Sequence, residues 1–172
     1  MLESSKLNKL ILLYALDKME IGLQEDVIMD MVTDNKWLEY MDCRVALTDL
    51  IKNNMITNVA TKSRNPRYAI TSDSREGLKH YYVEIPSSLR EDISNVIKLN
   101  KIKYRKKQDY FSDYYKNSDG TYTVVLKIES TSTPLMDLKL VVQNQQKAKW
   151  INKNWGDKAS TVYEFILENL ID

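Results

Sequence analysis

Glycine and proline are scarce in this chain, four and three in 172 residues, and this argues against collagen-like, linker-rich or disordered character. A single cysteine, Cys43, rules out an internal disulfide and fits a reducing cytoplasm. A single histidine, His80, has no second histidine or cysteine at ligand spacing, so no metal site is expected. No apolar run is long enough to span a bilayer, and no membrane association is expected. Leu10 to Leu16 follows Lys6 and Lys9 as a signal peptide would, but Asp17-Lys18 stands where small residues are needed for cleavage. Glycine-rich phosphate loops, nucleophile elbows, paired histidines at helical spacing and cysteine pairs are all missing. The expectation is a protein that is not an enzyme and takes no cofactor.

Net charge is +1, with 25 basic and 24 acidic residues. Residues 1–83 hold 11 basic and 12 acidic side chains, 84–118 hold 8 and 5, and 119–172 hold 6 and 7. Attraction to a polyanion must therefore come from where charges are placed.

The stretch from Asp42 to Ile70 carries the most information. Cys43, Ala46, Leu47, Leu50 and Ile51 recur at helical spacing, with Asp42 as N-cap and Asn53-Asn54 at the end. Arg44, Val45, Thr48, Asp49 and Lys52 then form the opposite face. Thr57 to Thr61 and Arg67 to Ile70 are β-prone runs around the turn Ser63-Arg64-Asn65-Pro66, whose tip carries Lys62, Arg64 and Arg67. Two helices are expected before this stretch, Lys6 to Met19 capped by Ser4 or Ser5, and Gln24 to Thr33 after Gly22. Trp37 and Tyr40 are expected to pack beneath the third helix.

Beyond it, Thr71 opens a polar turn before a short helix ending at Gly77 to Tyr82. Pro86, with Ser88 and Glu91 as a capping box, starts a long helix to about Arg105. Leu89, Ile93, Val96, Ile97 and Ile102 give that helix an apolar seam for a partner in the same chain or a second copy. The lysines and arginines at its end, Lys98 to Lys107, are either favourable cations at a helix C-terminus or further phosphate contacts. Asp109 to Lys116, Thr121 to Ser130 and Leu135 to Val142 form an antiparallel meander. Two helices follow, Asn144 to Trp155 and one capped by Asp157, separated at Gly156. Tyr110, Phe111, Tyr114 and Tyr115 could stack bases, but half of such a strand faces a core, which favours packing.

The fold class is thus α+β: an N-terminal winged helix-turn-helix over 1–83, a long linking helix over 84–107, and a C-terminal three-stranded antiparallel sheet with two helices over 108–172. Tyr68-Ala69-Ile70-Thr71 leading to Gly77, Ile85 to Arg90, Tyr122 to Leu126 and Ala148 to Trp155 together resemble an uncharacterised bacterial family, mainly clostridial, that is winged-helix-like and of unknown function. More broadly the order resembles winged helix-turn-helix transcription regulators. That resemblance implies a regulator on duplex DNA, and the apolar seam of the long helix, with the gain from adding two half-sites, leads to the expectation of a homodimer. Arg44, Val45, Thr48 and Lys52 would lie near base edges or phosphates, and Lys62, Arg64, Asn65 and Arg67 on the backbone or in the minor groove. The alternative is the same fold used as a protein-interaction module without DNA. No residue constellation identifies a small-molecule effector.

Overall fold

The computed structural model describes residues 2–61, 65–130 and 133–171, and the chain divides into two compact units, 1–105 and 106–172. In the first unit, α1 (Leu2–Met19), α2 (Glu25–Asp34) and α3 (Tyr40–Lys52) precede an antiparallel hairpin, β1 (Ile56–Asn58) and β2 (Tyr68–Ile70). Then come α4 (Ser72–Tyr81), a single 3₁₀ turn over Tyr82–Glu84, and α5 (Ser87–Asp109). Leu12, Leu13 and Leu16 of α1 are fully enclosed, as the width of its apolar stripe requires of a central helix. Ile28 and Met31 of α2, Cys43, Leu47 and Leu50 of α3, and Ile93 and Ile97 of α5 complete the same core. The α5 seam is therefore used largely within the chain. Leu89 and Val96 also pack on this core, whereas Leu99 and Ile102 stay 83% and 71% exposed.

Several local expectations are corrected. Helix α3 begins three residues early, at Tyr40, with Glu39 at the N-cap and no side-chain cap, so Asp42 lies in the first turn. Thr71 is itself an N-cap, its Oγ1 accepting from the Ser74 N–H, while α4 ends at Tyr81, within the expected Gly77 to Tyr82. Tyr40 is 58% exposed, while Trp37 is buried and donates from Nε1 to Asp92 at 2.7 Å. The first-turn amides of Leu89 and Arg90 donate to the Pro86 carbonyl. At the other end of α3, Asn54 takes the left-handed conformation, φ 55°, that lets the chain turn into β1.

The hairpin does more than pair with itself. β2 pairs with β1 in the register Ile56↔Ile70, Thr57↔Ala69 and Asn58↔Tyr68. On its other side, Tyr68 exchanges both backbone hydrogen bonds with Leu23, at 3.0 and 2.8 Å. Asn58 holds the mouth of the hairpin, its Oδ1 accepting from the N–H groups of Ala60 and Arg67.

In the second unit, β3 (Tyr110–Lys116), β4 (Tyr122–Glu129) and β5 (Pro134–Val142) form an antiparallel meander in that order. The β3–β4 turn places Gly120 at φ 87°, where a side chain would be strained. Val124, Leu126 and Ile128 point to one face, against Ala148, Trp155 and Ala159 of α6. The two expected C-terminal helices are one: α6 (Gln145–Leu170) continues through Gly156. Glycine costs about 1 kcal/mol inside a helix. The stripe Ala148, Ile151, Trp155, Ala159, Val162 keeps its three- and four-residue spacing across Gly156, and its burial outweighs that cost. Asn144, not Asp157, caps this helix, accepting from the Lys147 N–H.

Gly22 precedes the Leu23 bridge at a close approach. A Cβ built there would lie 2.5 Å from Val59 Cγ2 and 3.2 Å from Arg67 Cβ. Gly22→Ala should lower unfolding stability by ~1–3 kcal/mol through overpacking at this junction. Urea denaturation measures it, and an unchanged midpoint would show that the hairpin yields freely there.

Candidate nucleic-acid interface

Because Cys43, Ala46, Leu47 and Leu50 are drawn into the core, the rest of α3 is left facing outward. Its exposed face carries Tyr40, Met41, Arg44, Val45, Thr48 and Lys52, with Met41 67% and Val45 55% exposed. The structure thus gathers Arg44, Val45, Thr48 and Lys52 on one surface. Tyr40 and Met41 extend it and were missed in the sequence, although Met41, Val45 and Thr48 share a helical spacing that marks a common face.

The charges on this face are partly spoken for. Arg44 forms an ion pair with Glu25 in the first turn of α2, both side chains about half exposed. An exposed pair of this kind is worth at most about 1 kcal/mol, so a phosphate can compete for the guanidinium. Thr48 donates from Oγ1 to the Arg44 carbonyl at 2.8 Å, which leaves its oxygen available to accept. Asp49, nearer the core, faces Lys9 at 3.7 Å. Lys52 is exposed in the last turn, where a cation also complements the helix dipole. Behind the face, burial pushes the Cys43 thiol up to about 11, so it stays protonated at neutral pH and behaves as a small apolar core residue.

At the hairpin, the expected cationic cluster is not all at the surface. Asn65 is exposed. Arg67 is 4% exposed, which corrects its expected place on a surface that grips phosphates. It precedes β2, and its carbonyl accepts from Val59 at 2.8 Å, so its backbone is fixed in the hairpin and its side chain turns inward beside Gly22. Lys62 and Arg64 lie outside the described residues. Among the cations at the end of α5, Lys101 is committed to Glu20 at 2.6 Å and holds that carboxyl below the usual carboxylate range. His80 is exposed on α4.

With this geometry in hand, comparison with protein families gives one match, a domain of unknown function, DUF4364, aligned over residues 8–170. The chain belongs to the DUF4364 family. It matches no curated protein and no solved structure. Among the described residues of this DUF4364 protein, no helix is long and apolar enough to cross a membrane.

Arg67 now has a role that truncation can test. Arg67→Ala should destabilise the protein by ~1–3 kcal/mol through lost packing of the side-chain stem. A loss below ~0.5 kcal/mol in chemical denaturation would mean that the side chain is not held in the interior.

Proposed function

We propose that residues 1–83 are a winged helix-turn-helix and that the protein is a transcription regulator, acting on duplex DNA as a homodimer in the cytoplasm. The observation that carries this reading is the Leu23–Tyr68 bridge. It sets the segment between α1 and α2 beside β2 through one residue pair, where a winged helix has its first strand, so the order helix, bridge, helix, helix and hairpin supports that reading. In that order α3 is the recognition helix, and the loop between β1 and β2 is the wing. At 13 residues, α3 is ~20 Å long, enough to lie in a major groove ~12 Å wide.

On this reading Val45 offers an apolar contact to a thymine methyl, and Thr48 offers a hydroxyl to a base edge. Lys52 contacts phosphate. Arg44 exchanges Glu25 for a phosphate or a guanine, which lowers the net gain from that contact because one ion pair replaces another. Lys62 and Arg64 supply the wing's charge and Asn65 a polar contact, while Arg67 supports the hairpin from within.

A second reading has one specific observation in its favour. Tyr40, Met41 and Val45 place exposed apolar side chains along the N-terminal half of α3, and Glu25 with Asp26 places acidic charge at the start of α2. Such a face suits a protein partner better than a phosphate backbone. The two readings part on salt dependence. Duplex affinity of the wild type should fall with rising salt, with a log–log slope of about 0.9 per phosphate contact, and K52A/K62A/R64A should reduce that slope by about 2 to 3. Equal slopes, or no binding at low salt with a protein partner co-purifying in fixed ratio, would favour the interaction module.

A further inference from the structure

Helix α6 has a second face that the sheet does not use. Its sheet-facing stripe is Ala148, Ile151, Trp155, Ala159 and Val162. About a third of a turn round the helix, at 100° per residue, lie Lys147, Trp150, Asn154, Thr161, Phe165 and Glu168. All six are exposed, and Trp150 and Phe165 are 58% and 64% exposed, large values for aromatic rings. Among the described residues, no ion pair holds Lys147 or Glu168.

Two properties of this face point to what covers it. The spacing reads three, four, seven, four, three from Lys147 to Glu168, the same in both directions. Charge is also segregated along the helix: Lys147, Lys149 and Lys153 occupy the first half of α6 with one acid, Asp157, while Glu164 and Glu168 occupy the second with one base, Lys158. This runs against the helix's own dipole, which favours acids at the N-terminus and bases at the C-terminus, and neither terminal turn of α6 carries the favourable charge. The arrangement becomes favourable beside a second helix running the other way.

We propose that α6 pairs antiparallel with α6 of a second copy of this chain, about a two-fold axis between Asp157 and Lys158. The axis sets Trp150 against Phe165 of the other copy, Lys147 against its Glu168, Asn154 against its Thr161, and Lys158 near its Asp157. Because the contact is isologous, each pair occurs twice. The two aromatic pairs are ~22 Å apart along the helix, so they fix both ends of the contact. Four aromatic rings, with the stems of the flanking lysines, make a small apolar contact, so the dimer is concentration-dependent. This gives the homodimer of the proposed regulator its contact, and the contact needs no DNA.

Sedimentation equilibrium of the full chain without DNA tests the pairing separately from DNA binding. The wild type should weigh twice the 20.1 kDa chain mass at ~100 µM and dissociate on dilution. Trp150→Ala with Phe165→Ala should weaken the dimer at least tenfold. Lys147→Glu and Glu168→Lys should each weaken it by about tenfold, since each turns two attractions into two repulsions, and the two combined should restore it to within about threefold of wild type. All four positions are exposed, so at dilutions where the wild type is monomeric the variants should keep its unfolding midpoint. A wild type that is monomeric at ~100 µM, a dimer indifferent to the aromatic double variant, or a combined charge swap no better than its single parents would each overturn the proposal.

Discussion

Two backbone hydrogen bonds between Leu23 and Tyr68 join parts of the N-terminal unit that are 45 residues apart in sequence. They fix the segment leaving α1 against β2, and so fix where α2 begins and how the hairpin stands beside the helices. An unpaired backbone group buried at this point would cost about 1–3 kcal/mol, so the bridge is strongly specified once Leu23 itself is enclosed in the core. Gly22 allows the approach, Asn58 closes the hairpin mouth, and Arg67 turns its side chain inward where Gly22 lacks one. The exposed face of α3 is what remains when these constraints are met.

Electrostatics in this protein is a matter of placement. The N-terminal unit is close to neutral, and Arg44 already has Glu25. The proposed DNA contact therefore depends on few cations, chiefly Lys52, Lys62 and Arg64, and two-fold symmetry is what would raise two modest half-site contacts to a useful affinity. In α6 the same principle acts along a helix, where the segregation of lysines and glutamates is unfavourable alone and favourable in an antiparallel pair.

Most of the fold was legible because periodicity reports burial. The stripes of α1, α2 and α3 and the alternation in β4 follow from it, and the turn at Gly120 follows from its residues, whereas the meander register, which shifts at Ile128/Glu129, required the structure. What was not legible depended on contacts distant in sequence. Nothing near Arg67 marks it as buried, since the close approach to Gly22 that draws it inward exists only in the folded unit. The Leu23 bridge is a single residue pair with no strand pattern. Gly156 looked like a helix end because local propensity was weighed without the stripe that continues past it, and Tyr40 looked buried because aromatics usually are. Of the candidate site, the α3 face was readable from its spacing, whereas Glu25 as the partner of Arg44 required the structure.

The most direct measurement is a backbone amide NMR titration of the full chain with duplex DNA at low salt. The account predicts shift changes concentrated in Tyr40–Lys52 and in residues 59–67, reversed by added salt, with the sheet-facing residues of α6 unmoved. Changes confined to the second unit, or none at all with the protein folded, would contradict the assignment of α3 and the hairpin as a DNA-binding surface.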